Sequence, residues 1–356
     1  MTNRPPYRIS LRSSLLSGAL LLALPFAALA QDAASPADPP VAAEPPEVVT
    51  PAPPPVDLSP DTVNAAVFDG SPIPEGRSAI VLKVQVLLDR AGFSPGVIDG
   101  MMGDNVAKAI VAAESVTGLP QDGVLDADLW NEFLPLAAEP VLVGYRITAE
   151  DVAGPFVPDL PSDYAALAKL PESAYRSPGE MFAERFHMDE DLLLQLNQGA
   201  DFAVPGTVIV VTAVGVPKAD TVTYLIADKG RAQLLGYGEG DRLVVSYPAT
   251  IGSEAMPSPS GTHLVNGIAT DAAYYYRPEV NFQQGDNTER LTIPPGPNNP
   301  VGTTWIDLTE PTYGIHGTPE PSRIDKTSSH GCVRLTNWDV EELAALIEKG
   351  VRVEFR

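Results

Sequence analysis

Beyond Lys218 the apolar residues stop recurring at helical spacing and gather into short runs, "TVTYLIAD", "RAQLLGYGEGDRLVVSYPATIG" and "GTTWIDL". The runs are β-branched and aromatic, and glycine, proline and acid-glycine pairs break them. Such segments bury their apolar faces by pairing, which predicts a mainly antiparallel β-sandwich or barrel-like sheet over 218–356. Strands Thr304 to Leu308 and Tyr313 to His316 flank a turn at Glu310-Pro311. One helix interrupts: Val340, Leu343, Ala344 and Ile347 lie on one face, after a cap at Thr336 or Asn337 and before a stop at Gly350. A strand from Val351 to Phe355 closes the region.

The chain has 356 residues, long enough for two or three compact units. Residues 77–136 read as a three-helix unit. Val81, Val84, Leu87 and Leu88 form one helical face, Val106, Ala109, Ile110 and Ala113 a second, and Leu129, Trp130 and Phe133 a third. Asp99-Gly100, Gly103, Gly118 and Asp122-Gly123 make the turns. Residues 140–214 form another small α/β unit, with helical periodicity at Met181, Phe182, Phe186 and at Leu192, Leu193, Leu196, then a strand from Thr207 to Thr212. Tyr145 to Thr148 supplies its first strand, followed by a long insertion. The expected fold class is therefore multidomain α+β.

The N-terminus has a different character. Arg4, Arg8 and Arg12 lie in an acid-free segment before the apolar run "LLSGALLLALPFAALA", which ends in Ala28-Leu29-Ala30. Pro25 interrupts the run, which is shorter than a membrane span needs, so residues 1–30 are expected to be a cleaved signal peptide. Residues 31–76, dense in proline, alanine and acid, are expected to be an extended linker. The formal charge is −23. Loss of the three arginines takes it to about −26, which disfavours nucleic acid and anionic lipid as partners.

Exported proteins that use cysteine structurally carry an even number, and this chain has one, Cys332. A lone cysteine is either a buried hydrophobe or a reactive thiol. Read as extended chain, "SHGCVRL" places His330, Cys332 and Arg334 on one face. Either cationic neighbour would lower the thiol pKa from about 8.5. Gly331 would let a substrate backbone approach and expose amide N–H groups to an oxyanion. His316 ends a strand beside Gly317, where it can take a proton from a cysteine that the fold brings near.

Three resemblances follow from these residues. Val84-Gln85, Leu88, Gly92, Ile98-Asp99-Gly100, Gly103, Ala109, Gly118-Leu119, Asp122-Gly123 and Trp130 resemble the peptidoglycan-binding domain of bacterial wall hydrolases; Ala113-Glu114 departs from its usual aromatic and glutamine. Leu196-Asn197 and Pro205-Gly206-Thr207 are similar to a diverged LysM module. His316, followed by Ser329-His330-Gly331-Cys332-Val333-Arg334, resembles the L,D-transpeptidase family with its YkuD-type catalytic domain, as do "VSYPATIG", "PSPSG", "PPGPNNPVGTTWIDL" and "YGIHGT".

The last resemblance implies Cys332 as nucleophile and His316 as general base, with His330, Gly331, Gly317, Ser329 and Arg334 in support and no cofactor or metal. Arg334 would brace its strand. Some family members have serine where this chain has Gly317, so a backbone carbonyl is expected to orient His316; which histidine deprotonates the thiol stays open. The implied reaction is acyl transfer on peptidoglycan tetrapeptide stems in the periplasm, with release of D-Ala. The acceptor is a second stem, an envelope or outer-membrane protein, or water. Alternatives are a zinc site on His316, His330 and Cys332, a papain-like peptidase, whose cysteine would precede its histidine, and a non-catalytic wall-binding protein. Tyr274, Tyr275 and Tyr276 form either a lid over the cleft or ordinary strand packing. His187 and His263 read as surface or sheet residues, and Trp305 as core.

Overall fold

The structure is a computed structural model that describes residues 56–356 apart from 217, 254, 255, 281, 328 and 330. The expected signal peptide and most of the expected linker lie outside the described residues. The linker's expected end at 76 needs correction. Helix α1 (Pro60–Ala65) lies inside that stretch, capped by Ser59 and started by Pro60, with Val63 buried. Asn64 explains why this stretch is ordered. Its Oδ1 accepts from the N–H groups of Val141 and Leu142 at 2.8 and 2.9 Å, and its carbonyl accepts from Lys83 at 2.7 Å.

Three helices follow: α2 (Ala79–Ala91), α3 (Asp104–Thr117) and α4 (Ala127–Phe133). Ser78 and Asp126 cap the first and third through side-chain oxygens, and Gly92 ends α2 in the left-handed region at φ 86°. Next comes β1 (Leu142–Arg146), α5 (Tyr164–Leu167), α6 (Pro178–Arg185), α7 (Glu190–Leu196) and β2 (Val208–Thr212). β1 and β2 pair antiparallel, and Asn197 ties α7 to β2, accepting from Val210 N–H at 2.6 Å and donating to its carbonyl at 2.8 Å.

The remaining elements are β3 (Tyr224–Asp228), β4 (Gln233–Tyr237), β5 (Leu243–Pro248), β6 (Thr250–Ile251), β7 (Gly261–Thr270), β8 (Tyr274–Tyr276), β9 (Leu291–Ile293), β10 (Thr304–Leu308), β11 (Gly314–His316), β12 (Val333–Arg334), α8 (Asn337–Leu346) and β13 (Arg352–Phe355). Nine strands pair in the order β5-β4-β3-β13-β7-β10-β11-β12-β6, while β8 and β9 form a separate ribbon. Pairing is antiparallel except at β13–β3 and β11–β12. The edges of this sheet are β5 and β6, which only Ala249 separates in sequence. A sheet whose edges are one residue apart must curl on itself, which gives the barrel-like form. Thr336 caps α8 by accepting from Asp339 N–H at 3.1 Å, and the helix ends at Leu346, before Ile347.

Two apolar clusters hold these elements. One, with Val340 and Leu343 of α8, fills the curled sheet. The other runs from Leu58 through α2–α4 and the β1/β2 unit to Ile226, Leu235 and Leu243 on the outside of the sheet. Backbone pairing joins them: Ser94 N–H donates to the Ser246 carbonyl at 2.8 Å, and Ser246 N–H donates to that of Gly92 at 3.0 Å.

Candidate active site

β11 and β12 carry the site. They run parallel, with His316 in register with Arg334 and Ile315 with Val333. A parallel pair cannot be closed by a tight turn and needs a crossover of roughly a dozen residues or more. The separation between His316 and Cys332 follows from that requirement. Val333 is fully buried, so alternation sends Cys332 and Arg334 to the other side, where both line a cavity of about 490 Å³ with His316, Trp305 and Ser329. His330 lies outside the described residues.

Ser329 builds the turn that presents the cysteine. Its hydroxyl donates to the Cys332 carbonyl at 2.6 Å and accepts from the N–H groups of Gly252 at 2.7 Å and Gly331 at 3.3 Å. The Gly331 amide is thus engaged within the protein, contrary to its expected role toward an oxyanion. Nor is the space above Gly331 open to a substrate backbone. A Cβ there would lie 2.6 Å from Cε1 of Tyr313, and φ is 107°, so glycine is needed for the turn and for the Tyr313 ring.

His316 is buried at the end of β11, its ring stacked on Trp305 at 5.5 Å between centroids. Gly314 admits that indole, since a Cβ would sit 2.5 Å from its ring. Nδ1 of His316 lies 2.7 Å from the Gly317 carbonyl, so Nδ1 carries the proton and Nε2 keeps its lone pair. Burial, with the Arg334 charge adding to it, lowers the His316 pKa from 6.5 to about 3. The imidazole is neutral at physiological pH and able to accept a proton.

The thiol departs from expectation. Burial pushes Cys332 up from its ordinary value, and the Gly314 N–H and Arg334 charge, which act in the opposite direction, do not cancel it. The neighbours read from "SHGCVR" have the expected sign, but desolvation outweighs them. Cys332 is half-buried, with Sγ 3.8 Å from the Thr312 carbonyl. Thr312 directs that carbonyl from φ 74°, a left-handed conformation unusual for a β-branched residue.

Asn337 supports the histidine from behind. It is 2% exposed; its Oδ1 accepts from Thr303 N–H at 3.2 Å, and its Nδ2 donates to Glu184 at 2.9 Å and to the Pro297 carbonyl at 3.1 Å. A Cβ on Gly317 or on Gly302 would come closer than 3.0 Å to that Oδ1. Burial raises the Glu184 pKa from 4.5 to about 8, so this carboxyl of α6 is largely protonated at neutral pH.

Other candidates separate by strand alternation. Tyr274 lines the cavity, Tyr275 is 68% exposed, and Tyr276 is fully buried. Packing thus describes Tyr276, and Tyr274 forms part of the cavity wall. Trp305 is a cavity wall rather than core. His263 contacts the Ser260 carbonyl at 3.2 Å, away from the cavity, and His187 pairs with Asp89 at 2.7 Å and stacks on Trp338. Sequence reasoning missed Tyr164, Phe282, Thr312 and Tyr313, all on the cavity wall. Among the described residues no grouping of three His, Cys, Asp or Glu side chains can hold a metal ion.

Residues 222–355 match the L,D-transpeptidase catalytic domain model, and residues 77–132 match the putative peptidoglycan binding domain. The putative L,D-transpeptidase YkuD of Bacillus licheniformis is 33% identical over 174 residues, 49% of this chain and 90% of the relative. The probable L,D-transpeptidase YbiS of Escherichia coli is 29% identical over 235 residues, 62% of this chain and 73% of the relative. A solved L,D-transpeptidase from Mycobacterium smegmatis aligns over 43% of this chain and 63% of its own, at 16% identity and a TM-score of 0.32, too low to bear on function.

Proposed function

Because this chain belongs to the L,D-transpeptidase family, we propose that it is a cysteine acyltransferase acting on peptidoglycan tetrapeptide stems, with Cys332 as nucleophile and His316 as general base. The observation that supports these roles is a half-buried thiol sharing a cavity with a neutral imidazole whose Nδ1 is held by the Gly317 carbonyl.

A thiol pushed up and an imidazole pushed down favour the uncharged pair at rest. Proton transfer then accompanies attack: Nε2 of His316 takes the thiol proton as Sγ adds to the carbonyl between the L-centre of the diamino acid and the terminal D-Ala. The tetrahedral adduct collapses, the C–N bond breaks, and the imidazolium protonates the departing D-Ala amine. A thioester on Cys332 remains. An incoming amine attacks it, gives its proton to His316, and leaves an amide and a free thiol.

A second stem as acceptor yields a 3-3 cross-link, a protein amine anchors an envelope or outer-membrane protein, and water yields an L,D-carboxypeptidase product. Ser329, Gly331 and Gly317 act as positioning residues, and His330 is assigned a supporting role by its place in the motif. The 77–132 segment would hold the enzyme on glycan, with the β1/β2 unit as a LysM-like companion, and the place of action would be the periplasm.

The test is mass spectrometry on disaccharide-tetrapeptide incubated with the full chain and with Cys332→Ala, alongside wall digests from cells with and without the protein. The expected result is D-Ala release and 3-3 dimers, protein-linked stems or tripeptides that require Cys332. Identical products from both proteins and unchanged digests would remove the catalytic assignment.

A further inference from the structure

The cavity beside Cys332 is completed by a residue outside both matched segments. Tyr164, on α5 in the long insertion after β1, meets Tyr276 edge-on at 5.2 Å, Tyr274 at 5.9 Å and Phe282 at 6.2 Å. It is fixed in place. Its N–H donates to Gln284 Oε1 at 3.2 Å, Gln284 Nε2 donates to the Ser162 carbonyl at 3.1 Å, and Asn287 donates to Asp163 at 2.9 Å. Further along the insertion, Ser173 donates through N–H and Oγ to the carbonyls of Pro295 and Pro294 at 2.8 and 2.9 Å.

Arg334 lines the same cavity. It is half-buried, its Nε is enclosed with no hydrogen-bond partner, and among the described residues no carboxylate forms an ion pair with it. A guanidinium partly withdrawn from water, with the Glu320 charge acting on it only from beyond ion-pair distance, is costly, and a bound anion would offset that cost. Tyr164 lies within the field of that guanidinium, yet burial raises its pKa to about 12, so its hydroxyl is a neutral donor at physiological pH.

We propose that Tyr164 and Arg334 form a carboxylate-binding subsite for the terminal D-Ala of the donor stem, so that the insertion between β1 and α6 supplies a specificity-determining residue. The spacing selects this carboxylate. Alternating side chains two residues apart on a strand are separated by ~6.6 Å, and the flexible arginine extends further. The D-Ala carboxyl carbon is one residue from the attacked carbonyl, within ~3.6 Å of it. With sulfur ~3–3.5 Å from that carbonyl, the D-Ala carboxylate comes within reach of Arg334. Once the C–N bond breaks, the carboxylate departs with D-Ala, so the subsite favours the donor and releases the thioester to an acceptor.

The inference rests on the acyl-transfer reading for its choice of ligand, and a binding measurement separates the two. Calorimetry on full-length Cys332→Ala compares a tetrapeptide stem ending in D-Ala with the same stem ending in D-Ala amide. The free acid should bind about tenfold to a hundredfold more tightly, as expected of charge-assisted hydrogen bonds. Arg334→Gln in that background should abolish the preference, Arg334→Lys should restore part of it, and Tyr164→Phe should reduce it about threefold to tenfold. A merely structural Tyr164 would leave the acid-to-amide ratio unchanged.

Equal binding of acid and amide, binding of neither, or an unaltered ratio in Tyr164→Phe overturns the proposal. So does a preference that follows the side-chain carboxyl of the diamino acid when that group alone is amidated. A wild-type protein that releases no D-Ala while Cys332→Ala still prefers the acid would sink acyl transfer and leave the subsite standing.

Discussion

Gly317→Ala tests whether the residue after His316 is glycine for space. Its φ is outside the left-handed region, so the cost of a side chain is steric. The added Cβ would lie closer than 3.0 Å to Asn337 Oδ1 and 3.3 Å from both Asn337 Cγ and Gly302 Cα. Asn337 cannot swing aside freely, because its amide holds Thr303 N–H, Glu184 and the Pro297 carbonyl. Moving it would leave one or two buried polar groups unpaired, at ~1–3 kcal/mol each. We therefore expect a loss of about 2–4 kcal/mol, which in urea, at a slope of ~2 kcal/mol per M, is a midpoint shift of about 1–2 M. Unfolding of the full chain followed by tryptophan fluorescence reads this. Asn337→Ala removes the clashing oxygen, so it should cost about 1–2 kcal/mol less in the Gly317→Ala background than in wild type. A single variant within ~0.5 kcal/mol of wild type, or strict additivity in the pair, would refute the steric account.

Burial raises the Cys332 thiol, so its alkylation by iodoacetamide should accelerate about tenfold per pH unit through neutrality and still be rising at pH 9; a plateau below pH 7 would indicate a resting thiolate. His316 has a folded pKa of about 3 against an ordinary 6.5. Its contribution to stability is present above 6.5 and drains away as pH falls toward 3. In His316→Asn the stability lost between pH 7 and pH 4 should be smaller by about 3 kcal/mol, measured by urea unfolding at both values. Glu184 has the opposite sign, with a folded pKa of about 8 against 4.5. Its contribution is intact below 4.5 and is lost as pH rises through 8, so Glu184→Gln should gain on wild type between pH 4.5 and 7.5 by about 3 kcal/mol at most. A constant difference across that range would mean that Glu184 is not held protonated.

What the sequence revealed were the properties that repeat along a strand or helix. The two-residue period placed Cys332 and Arg334 on one side of β12, and the pairing of β10 with β11 around Glu310-Pro311 followed from local composition. Desolvation has no local signature. "SHGCVR" displays the charges that lower a thiol pKa but not the burial that raises it. Gly331 looked like an opening for substrate because its tight partner, Tyr313, comes from a different strand connection. Tyr164 was invisible for a related reason: its position depends on hydrogen bonds to Gln284 and Asn287, more than a hundred residues away in the chain. Asn337 was read only as a possible helix cap; Thr336 takes that role and frees its amide to brace Gly317.

The spacing of the catalytic motif joins the two levels. In an antiparallel hairpin, a histidine at one strand's end would face a residue only a few positions away. Here both strands point the same way, so the chain must return to the start of β12 before it can present Cys332 near the level of His316. The intervening loop is anchored where it matters. Ile324 is buried, Asp325 N–H donates to Thr250 of β6 at 2.9 Å, and Ser329 joins Gly252, the residue just after β6, which flanks β12. The loop also touches the N-terminal helices, since Lys108 of α3 pairs with Asp325. The crossover required by a parallel step therefore does three things: it sets the sequence distance between base and nucleophile, shapes the turn that exposes the thiol, and connects that turn to the segment matched as peptidoglycan binding. This loop is one connection from α3 to the nucleophile, beside the backbone pairing of Ser94 with Ser246. Lys108→Ala should therefore change the rate of Cys332 alkylation if the two are coupled, and leave it at the wild-type value if the ion pair serves stability alone.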